Sequence, residues 1–504
     1  MKTIILGPPG TGKTTTLLNL VDEFIQQGVR PKQIGYFSFT RKAAIEAATR
    51  AADKFGLDIE NDLDNFRTLH SYAFRQLGMT KEKMMKTEDY KEFGQKCGIP
   101  IKTASYSADD GTFNSDNEYL TIINTAAVKR MDLLEYYDSR QNILDIERNT
   151  LYLLSEELKR FKKEKGLKDF NDLLEDFIDK DINNKFEVLF IDEAQDLSLI
   201  QWDMVRKLWS NANKTYIAGD DDQAIFDWAG ADTKRLGLIG GEREVLTQSY
   251  RVPRAVHHVA GDLINKINDR VQKDWNPKED EGSVMRHRLR FNNHIDLTNG
   301  EWLILARTNY MLDEVMDHLK SEGLFYTFKN RSSISDRLIR AVEGWNKLKE
   351  SEIDAQTVKD IYYYISGNGN IEHGFKEKVK TIDEEINYNY ESLVTNYGLN
   401  VDINSEWNVA LDNIPESMQQ YVSAALRRST LNTSKNIKIS TIHASKGGEA
   451  DNVMLLTDLP RKADLSVSTK RDDERRVFYV GATRAKKSLH IIESKTNREF
   501  GELL

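Results

Sequence analysis

The pattern of apolar and polar positions predicts short buried strands that alternate with helices. Residues 3–6 form an apolar run before a glycine-rich loop, and the apolar residues of 17–25 recur at helical spacing. A second such pair follows, with an apolar run at 34–39 and an alanine-rich helix at 41–55. Strands that alternate with helices are typical of doubly wound α/β domains.

Later apolar runs predict further strands, and two long polar stretches with helical patterns separate them. The helical stretches lie at 71–166 and 336–431. The predicted strands are at 188–191, 216–218, 302–306, 437–441, 453–456 and 489–492. The sequence therefore predicts two α/β lobes, each interrupted by one mainly helical insertion.

Composition indicates a globular protein of several domains, because the chain has 504 residues, of which 39% are hydrophobic and 30% charged. The formal net charge of −9 argues against coating nucleic acid by bulk attraction, but it allows a local basic channel. A single cysteine, Cys97, excludes an internal disulfide and a cysteine-cluster metal site. Without a recognisable signal peptide or membrane span, we expect a cytoplasmic protein, and its small size would suit a phage-encoded one.

Residues 7–14, with the sequence GPPGTGKT, match the G-x-x-x-x-G-K-[ST] pattern of a phosphate-binding loop. Backbone N–H groups can wrap a phosphate closely only where side chains are absent, which explains the glycines. Lys13 would reach the β- and γ-phosphates, and the Thr14 hydroxyl would bind Mg²⁺. The predicted ATP-binding residues of this segment are Gly7, Pro8, Pro9, Gly10, Thr11, Gly12, Lys13, Thr14 and Thr15.

The apolar run at 188–191 ends in two carboxylates, Asp192 and Glu193. Asp192 would hold Mg²⁺, directly or through water, and Glu193 would polarise the attacking water. Alone, the pair is equally compatible with a helix start, since aspartate is a common N-cap. Together with the phosphate-binding loop, it predicts an ATP hydrolase.

Eight further segments have recognisable patterns and show which class of phosphate-binding-loop protein this is. In chain order they are FTRKAA (39–44), TLHS (68–71), DFNDLL (169–174), DEAQD (192–196), GDDDQAIFDWAGA (219–231), QSYR (248–251), TIHASKGGE (441–449) and ERRVFYVGATRA (474–485). A metabolic kinase with a phosphate-binding loop would leave these segments unused.

These segments resemble, in the same order, the motifs of superfamily 1 DNA helicases of the UvrD/Rep/PcrA branch. The later ones are similar to D-E-x-Q-D, G-D-x-D-Q-S-I-Y-x-W-R-G-A, Q-N-Y-R, T-x-H-x-A-K-G-x-E and E-E-R-R-L-x-Y-V-G-x-T-R-A. The resemblance extends from residue 7 to residue 485 and is weaker over the two insertions. It implies an α/β fold of two RecA-like motor domains, each with a mainly helical insertion.

The resemblance also implies domain boundaries. The first motor domain would comprise 1–70 and 167–247, with its insertion at 71–166. The second motor domain would comprise 248–335 and 432–504, with its insertion at 336–431.

In such a motor, ATP binds between the two motor domains. The resemblance implies that Gln223 senses the γ-phosphate and that Arg251 and Arg484 act as arginine fingers, because a planar guanidinium matches the charge of the transition state. Tyr250 would stack on adenine, and Glu449 would bind the ribose. The predicted catalytic residues are Lys13, Glu193, Gln223, Arg251 and Arg484.

The DNA contacts implied by the resemblance are of two kinds. Aromatic faces stack on bases without reading their sequence, which suits a motor that must move along any strand. Trp228 and Phe226 would stack on bases, and Phe39 would form a base pocket. The residues expected to bind backbone phosphates are Thr40, Thr68, His70, Thr441 and His443.

The predicted function is an ATP- and Mg²⁺-dependent helicase that moves along single-stranded DNA, in the 3′→5′ direction by resemblance. Its partners would be single-stranded DNA and duplex junctions, with replication, repair or recombination proteins as possible associates of a monomer. Two alternatives remain open. The first is a translocase that strips proteins from single strands without unwinding, and the second is a non-motor, ATP-gated DNA-binding switch.

Overall fold

The apolar runs of the first half of the chain form strands of a parallel sheet, as their pattern predicts. The computed structural model of the protein describes residues 1–107, 111–140, 146–180, 185–287, 295–428, 436–494 and 496–504. The chain forms two compact units, Met1–Ser283 with Leu465–Lys486 and Val284–Asp464 with Lys487–Leu504. The predicted four-part division is finer than these units and stays a prediction.

The first unit is built on a parallel sheet. Its strands are β1 (Lys2–Leu6), β2 (Ile34–Ser38), β3 (Phe66–Arg67), β4 (Ala104–Tyr106), β5 (Phe113–Ser115), β6 (Phe186–Asp192), β7 (Ala212–Gly219) and β8 (Glu242–Val245). β4 and β5 pair with each other in antiparallel fashion, and the other six form a sheet in the order β3-β2-β6-β7-β1-β8. Every pair in this sheet is parallel, so the carboxyl ends of β1, β6 and β7 meet at one edge.

Helices connect these strands. Before residue 283 they are α1 (Lys13–Gln26), α2 (Arg41–Phe55), α3 (Leu69–Gln76), α4 (Thr87–Cys97), α5 (Glu118–Val128), α6 (Leu133–Asp138), α7 (Arg148–Lys165), α8 (Phe170–Asp179), α9 (Leu199–Ser210), α10 (Arg235–Leu238) and α11 (Arg254–Ile264). The core beside the sheet includes Leu17 and Val21 of α1, Ala47 of α2, and Ile34 and Phe190 of the strands. Burial of this apolar stripe explains the helical spacing in the sequence.

Part of the first unit has an apolar core of its own. Tyr90, Phe93, Leu154, Leu158 and Phe161 pack together there, on helices α4 and α7. The predicted helical character of 71–166 is confirmed by α3 to α7. The antiparallel pair β4–β5 was not expected, because three-residue strands leave no recognisable alternation.

The second unit also contains a mixed but mainly parallel sheet. Its strands are β9 (Ser283–His287), β10 (Trp302–Ala306), β11 (Tyr326–Phe328), β12 (Arg331–Ser332), β13 (Ile353–Asp354), β14 (Asn387–Tyr388), β15 (Ile437–Thr441), β16 (Ala450–Leu456) and β17 (Ala485–Ile492). Seven of them form a sheet in the order β12-β11-β15-β10-β16-β17-β9. β10 is parallel to β15 and β16, and each strand predicted from an apolar run is present.

The remaining helices lie after residue 283. They are α12 (Asp313–Ser321), α13 (Asp336–Leu348), α14 (Ala355–Tyr364), α15 (Phe375–Lys380), α16 (Tyr390–Tyr397), α17 (Trp407–Ala410), α18 (Glu416–Arg427) and α19 (Arg461–Ala482), most of which belongs to the first unit. Trp345 is fully buried in a core formed by α13 to α18. Over the described ranges, no helix is both long and apolar enough to cross a bilayer.

Two stacked histidines make the second unit sensitive to acid. His287 Nε2 and His490 Nδ1 are 3.1 Å apart, and the two rings are nearly parallel. Burial, and next the neighbouring His287, lowers the pKa of His490 to about 4, and burial also lowers the pKa of His287. In the unfolded chain a histidine binds its proton near pH 6.5. The contribution of the neutral, buried rings to the free energy of unfolding is therefore complete above that pH and is lost as the pH falls towards 4.

We therefore expect the free energy of unfolding to fall by on the order of 2 kcal/mol from pH 6.5 to pH 4 through His490. The measurement is the urea midpoint at both pH values for the wild type and for His490→Phe, which keeps an aromatic ring at this buried position. The exposed His373→Phe serves as the control. An unchanged pH dependence in His490→Phe would contradict this account.

Candidate active site

The phosphate-binding loop joins β1 to α1 in a conformation that its glycines permit. Gly10 and Gly12 have φ of 73° and 82°, in the left-handed region that favours glycine. A Cβ at Gly7 would lie 2.2 Å from Cγ of Lys13, so a side chain there would displace the lysine. The buried Lys13 Nζ donates a hydrogen bond to Gly7 O at 2.6 Å. The loop therefore keeps its ammonium group directly over the backbone expected to wrap a phosphate.

The first turn of α1 carries no acidic residue of its own at the positive end of the helix. Thr14 is half-buried and its hydroxyl donates to Asp192 Oδ2 at 2.9 Å, whereas Thr15 is exposed. Thr11 is buried and its hydroxyl donates to Pro8 O at 2.8 Å, which closes the loop on itself. The helix start is thus suited to an anion, and it is tied to the acidic end of β6.

Asp192 is fully buried at the carboxyl end of β6. Besides the Thr14 bond, its carboxylate accepts the Tyr36 hydroxyl at 3.0 Å and the Glu193 N–H at 2.9 Å. Burial, and next the charge of Glu193, raises the pKa of Asp192 to about 6. Burial, and next the Asp192 charge, raises the pKa of Tyr36 well above its usual value. No pattern in the sequence pointed to Tyr36, which lies in the apolar run of β2.

The residues around Asp192 fit a hard divalent cation. Ser38 ends β2 and is paired in register with Asp192 on β6. Its hydroxyl is buried and has no hydrogen-bond partner within the part of the chain that the structure describes. Two hydroxyls, Thr14 and Ser38, therefore stand beside one buried carboxylate, and Mg²⁺ prefers such oxygen ligands and the waters they hold.

Glu193 has an unusual backbone for a residue with a side chain. Its φ is 54°, a left-handed conformation that costs free energy and persists where the surroundings impose it. Its carboxylate accepts a hydrogen bond from Gln195 Nε2, and Gln195 Oε1 accepts the N–H of Asp220 at 3.0 Å. Gln195, which had no predicted role, thus connects Glu193 to the loop after β7.

The loop after β7 brings two predicted residues into direct contact. Gln223 Nε2 donates to Asp220 Oδ2 at 2.7 Å, and Gln223 Oε1 accepts Nη2 of the buried Arg484 at 3.0 Å. Arg476, which lies on α19 eight residues before Arg484, donates from Nε to Asp221 O at 3.1 Å. The predicted γ-phosphate sensor and one predicted arginine finger therefore form one hydrogen-bonded pair.

Lys273 contacts the loop after β7, and no sequence pattern pointed to it. Its side chain is completely buried, and Nζ lies 3.1 Å from Asp220 Oδ1 and 3.0 Å from Asp222 Oδ2, with Asp221 also in contact. Arg270 forms a two-pronged pair with Asp222, at 2.8 and 2.6 Å. The three carboxylates lie close enough to hold a metal ion, but the lysine ammonium is the cation among them.

The segment at 248–251 packs on the phosphate-binding loop within the first unit. The Tyr250 N–H donates to Gly10 O at 2.9 Å, and the Ser249 hydroxyl donates to Pro9 O at 2.7 Å. The Tyr250 side chain is 77% exposed, so its ring is available for a stacking partner. Arg251 is half-buried and lies close to Gly10. A Cβ built on Gly10 would be 2.4 Å from the Cβ of Arg251.

Three aromatic residues form a chain beside this site. The Phe39 and Phe226 rings are 5.2 Å apart and both are buried, and the Phe226 and Trp228 rings are 6.2 Å apart. Trp228 is 47% exposed, which leaves a face for a base. Trp228 lies five residues after Gln223, in the same loop.

The predicted phosphate contacts of the first unit lie at helix starts. The Thr40 and Thr68 hydroxyls are N-caps that accept the N–H of Ala43 at 3.2 Å and of Ser71 at 3.3 Å. Each capping hydroxyl still has a proton to donate. His70 is buried, with its ring 5.1 Å from that of Phe170.

The other predicted contacts lie in the second unit. Thr441 is the last residue of β15, and its hydroxyl accepts the Ala444 N–H at 3.2 Å. His443 is half-buried and Glu449 is exposed in the loop before β16. Their proposed DNA and ribose contacts stay predictions.

Comparison with known proteins matches both ends of the chain to one family. The model of the UvrD/REP helicase N-terminal domain matches residues 1–239, and that of the UvrD-like helicase C-terminal domain matches 436–492. Together they cover more than half of the chain and lie in family order.

Individual relatives extend the similarity over nearly all of the chain. A probable DNA helicase II homolog of Mycoplasma pneumoniae is 23% identical, over 97% of this chain and 81% of its own. The ATP-dependent DNA helicase Rep of Buchnera aphidicola is 21% identical, over 99% of this chain and 90% of its own. The ATP-dependent DNA helicase PcrA of Leuconostoc citreum is 25% identical, over 64% of this chain and 47% of its own.

The family domains confirm the predicted fold class, α/β with two RecA-like motor domains. The parallel sheets, the phosphate-binding loop after β1 and the acidic pair after β6 agree with that class. The chain therefore belongs to the UvrD-like superfamily 1 helicases.

Proposed function

We propose that this ATP-hydrolysing DNA helicase moves 3′→5′ along single-stranded DNA and uses the site around Lys13 and Glu193 as its motor. The direction rests on the family resemblance alone. The observation that carries the assignment of the motor site is the hydrogen bond between Gln223 and Arg484. It joins the loop that presents Trp228 to a guanidinium suited to the transition state of phosphoryl transfer. A base stacked on Trp228 can therefore influence the groups that act on ATP.

The proposed chemistry assigns one task to each residue of the site. Lys13 binds the phosphates, and Glu193 orients and deprotonates the attacking water. Arg251 and Arg484 stabilise charge on the γ-phosphoryl oxygens. Thr14 and Asp192, with Ser38 nearby, would hold Mg²⁺, which neutralises charge on the β- and γ-phosphates.

The experiment that tests this function compares ATP hydrolysis with and without single-stranded DNA, followed by unwinding of 3′- and 5′-tailed duplexes. We expect strong stimulation by DNA and strand separation of the 3′-tailed duplex. Separation of only the 5′-tailed duplex would reverse the direction. Displacement of streptavidin from a biotinylated single strand without strand separation would favour the protein-stripping translocase.

ATP-dependent DNA binding without ATP hydrolysis would favour the non-motor DNA-binding switch.

The proposed monomer is tested by light scattering of the protein with and without a tailed duplex. Association with replication or repair proteins belongs to the same proposal and follows only from the family.

The aromatic chain gives a prediction for DNA binding. Trp228→Ala is expected to raise the DNA concentration for half-maximal stimulation about tenfold, because one stacked base contributes roughly 1–3 kcal/mol. The rate without DNA should change little, because the substitution leaves the residues assigned to ATP unaltered. Tyr363→Ala is the matched control, since Tyr363 is a similarly exposed ring at 56%. If the two substitutions raise this DNA concentration equally, Trp228 is not part of the DNA site.

A further inference from the structure

The Ser249 hydroxyl lies where the 248–251 segment meets the phosphate-binding loop. The residue is completely buried. Its Oγ donates to Pro9 O at 2.7 Å and accepts the N–H groups of Arg251 at 3.3 Å and Val252 at 3.2 Å. A hydroxyl has one proton and two lone pairs, so all of its hydrogen-bonding capacity is used. One oxygen atom therefore ties the loop backbone to the backbone of Arg251.

Neighbouring bonds hold the same segment from both sides. The Tyr250 N–H donates to Gly10 O at 2.9 Å, and the Ser249 N–H donates to Asn276 O at 2.9 Å. Val252, which follows Arg251, is completely buried and anchors the chain after it. The backbone of Arg251 is thus fixed at the loop, while its side chain is only half-buried.

Gly10 shows how close this approach is. A Cβ at Gly10 would lie 2.4 Å from the Arg251 Cβ and 2.9 Å from the Ser249 Oγ, distances that allow no side chain. Gly10 also has a φ of 73°, so two independent requirements select glycine. Ser249 stands where the family motif Q-N-Y-R has asparagine.

We propose that Ser249 is a positioning residue, whose hydroxyl fixes the backbone of Arg251 against Pro9 so that the guanidinium reaches the γ-phosphoryl group in the transition state. This inference rests on the proposed role of Arg251. An arginine finger stabilises the transition state more than it stabilises bound ATP. A group that acts through Arg251 should therefore lower kcat more than it raises KM for ATP.

The test is a double-mutant cycle on the full chain, with DNA-stimulated kcat and KM for ATP measured in each variant. We expect Ser249→Ala to lower kcat about tenfold with little change in KM, which is the size of a lost buried hydrogen bond. Arg251→Ala should lower kcat by about 10³-fold. The double variant should match Arg251→Ala alone, because the hydroxyl has nothing left to position.

Several outcomes would overturn the inference. A full tenfold loss from Ser249→Ala in the Arg251→Ala background would show an independent structural role, and a raised KM at unchanged kcat would show plain ATP binding. If Arg251→Ala itself leaves kcat unchanged, the proposed role of Arg251 fails first and this inference with it.

Two further variants keep the test valid. Thr457→Val removes a buried hydroxyl that donates to a backbone oxygen, Ile492 O at 2.9 Å, and should leave kcat unchanged. Ser249→Cys has nearly the size of the wild type but a weak hydrogen-bonding group. It replaces Ser249→Ala in the cycle if the alanine variant does not fold, with the same expected loss of kcat.

Discussion

Glu193→Gln is expected to lower ATP hydrolysis by roughly 10²–10⁴-fold while ATP and DNA still bind, because an amide cannot take the proton of the attacking water. The substitution keeps the size of the side chain and an oxygen that can accept the Gln195 hydrogen bond. It therefore leaves the strained backbone at this position supported. Single-turnover hydrolysis and ATP binding, measured separately, check the prediction.

ATP binding should persist for an electrostatic reason. The charge of Glu193 is the second cause, after burial, of the raised pKa of Asp192. Removing that charge lowers the pKa of Asp192, so the carboxylate expected to hold Mg²⁺ is more completely ionised at neutral pH. The variant should accordingly trap ATP on the protein rather than release it.

Glu187→Gln is the matched control, since Glu187 lies on β6, the strand that ends just before Glu193, and its carboxylate accepts a hydrogen bond from Asn213 on the neighbouring strand. It should hydrolyse ATP at the wild-type rate. Hydrolysis by Glu193→Gln at a comparable rate would mean that another group deprotonates the water, and the assignment of the site would have to change.

The elements that the sequence predicted correctly depend on short-range patterns. The strand β1, the phosphate-binding loop and α1 follow one another within 26 residues, and glycines at fixed spacing mark the loop. The acidic pair Asp192 and Glu193 was recognisable because two carboxylates directly follow the run of apolar residues that marks the buried strand β6. The contact between Gln223 and Arg484 could only be expected from the family resemblance, since 261 positions separate them.

Other features left no trace in the sequence. β8 (Glu242–Val245) has the sequence EREV and is largely exposed at the edge of its sheet, so no apolar run marks it. Tyr36 lies in a strand where any apolar residue would satisfy the pattern, yet its hydroxyl reaches Asp192. Lys273 lies in a polar stretch that reads as surface, because its carboxylate partners are about fifty positions earlier.

Lys273→Met is expected to destabilise the first unit by on the order of 3–5 kcal/mol, the usual effect of removing one partner from a buried charge cluster. The ammonium is completely buried among Asp220, Asp221 and Asp222. Its loss leaves three buried carboxylates with Arg270 as their remaining side-chain ion-pair partner among the described residues. The measurement is the urea midpoint of the full chain at pH 7.

The dependence on pH distinguishes this cause from simple loss of packing. Burial raises the pKa of Asp220, but Lys273 first and Lys13 next outweigh it, so that the pKa is lowered overall. Without Lys273 the pKa of Asp220 should rise above that of the unfolded chain. A carboxyl with a raised pKa gains stability as the pH falls, so the deficit of Lys273→Met should shrink from pH 7 to pH 5.

Lys207→Met is the matched control, because its ammonium donates to backbone oxygens, including Ile178 O at 2.7 Å, and has no carboxylate partner among the residues that the structure describes. Its smaller deficit should stay constant with pH. The same neutralisation also predicts lost function, since Asp220 holds the amide of Gln223 that faces Arg484. Normal DNA-stimulated ATP hydrolysis by Lys273→Met would show that the charge cluster does not orient Gln223. A loss of stability that stays the same from pH 7 to pH 5 would show that the cluster does not depend on its lysine.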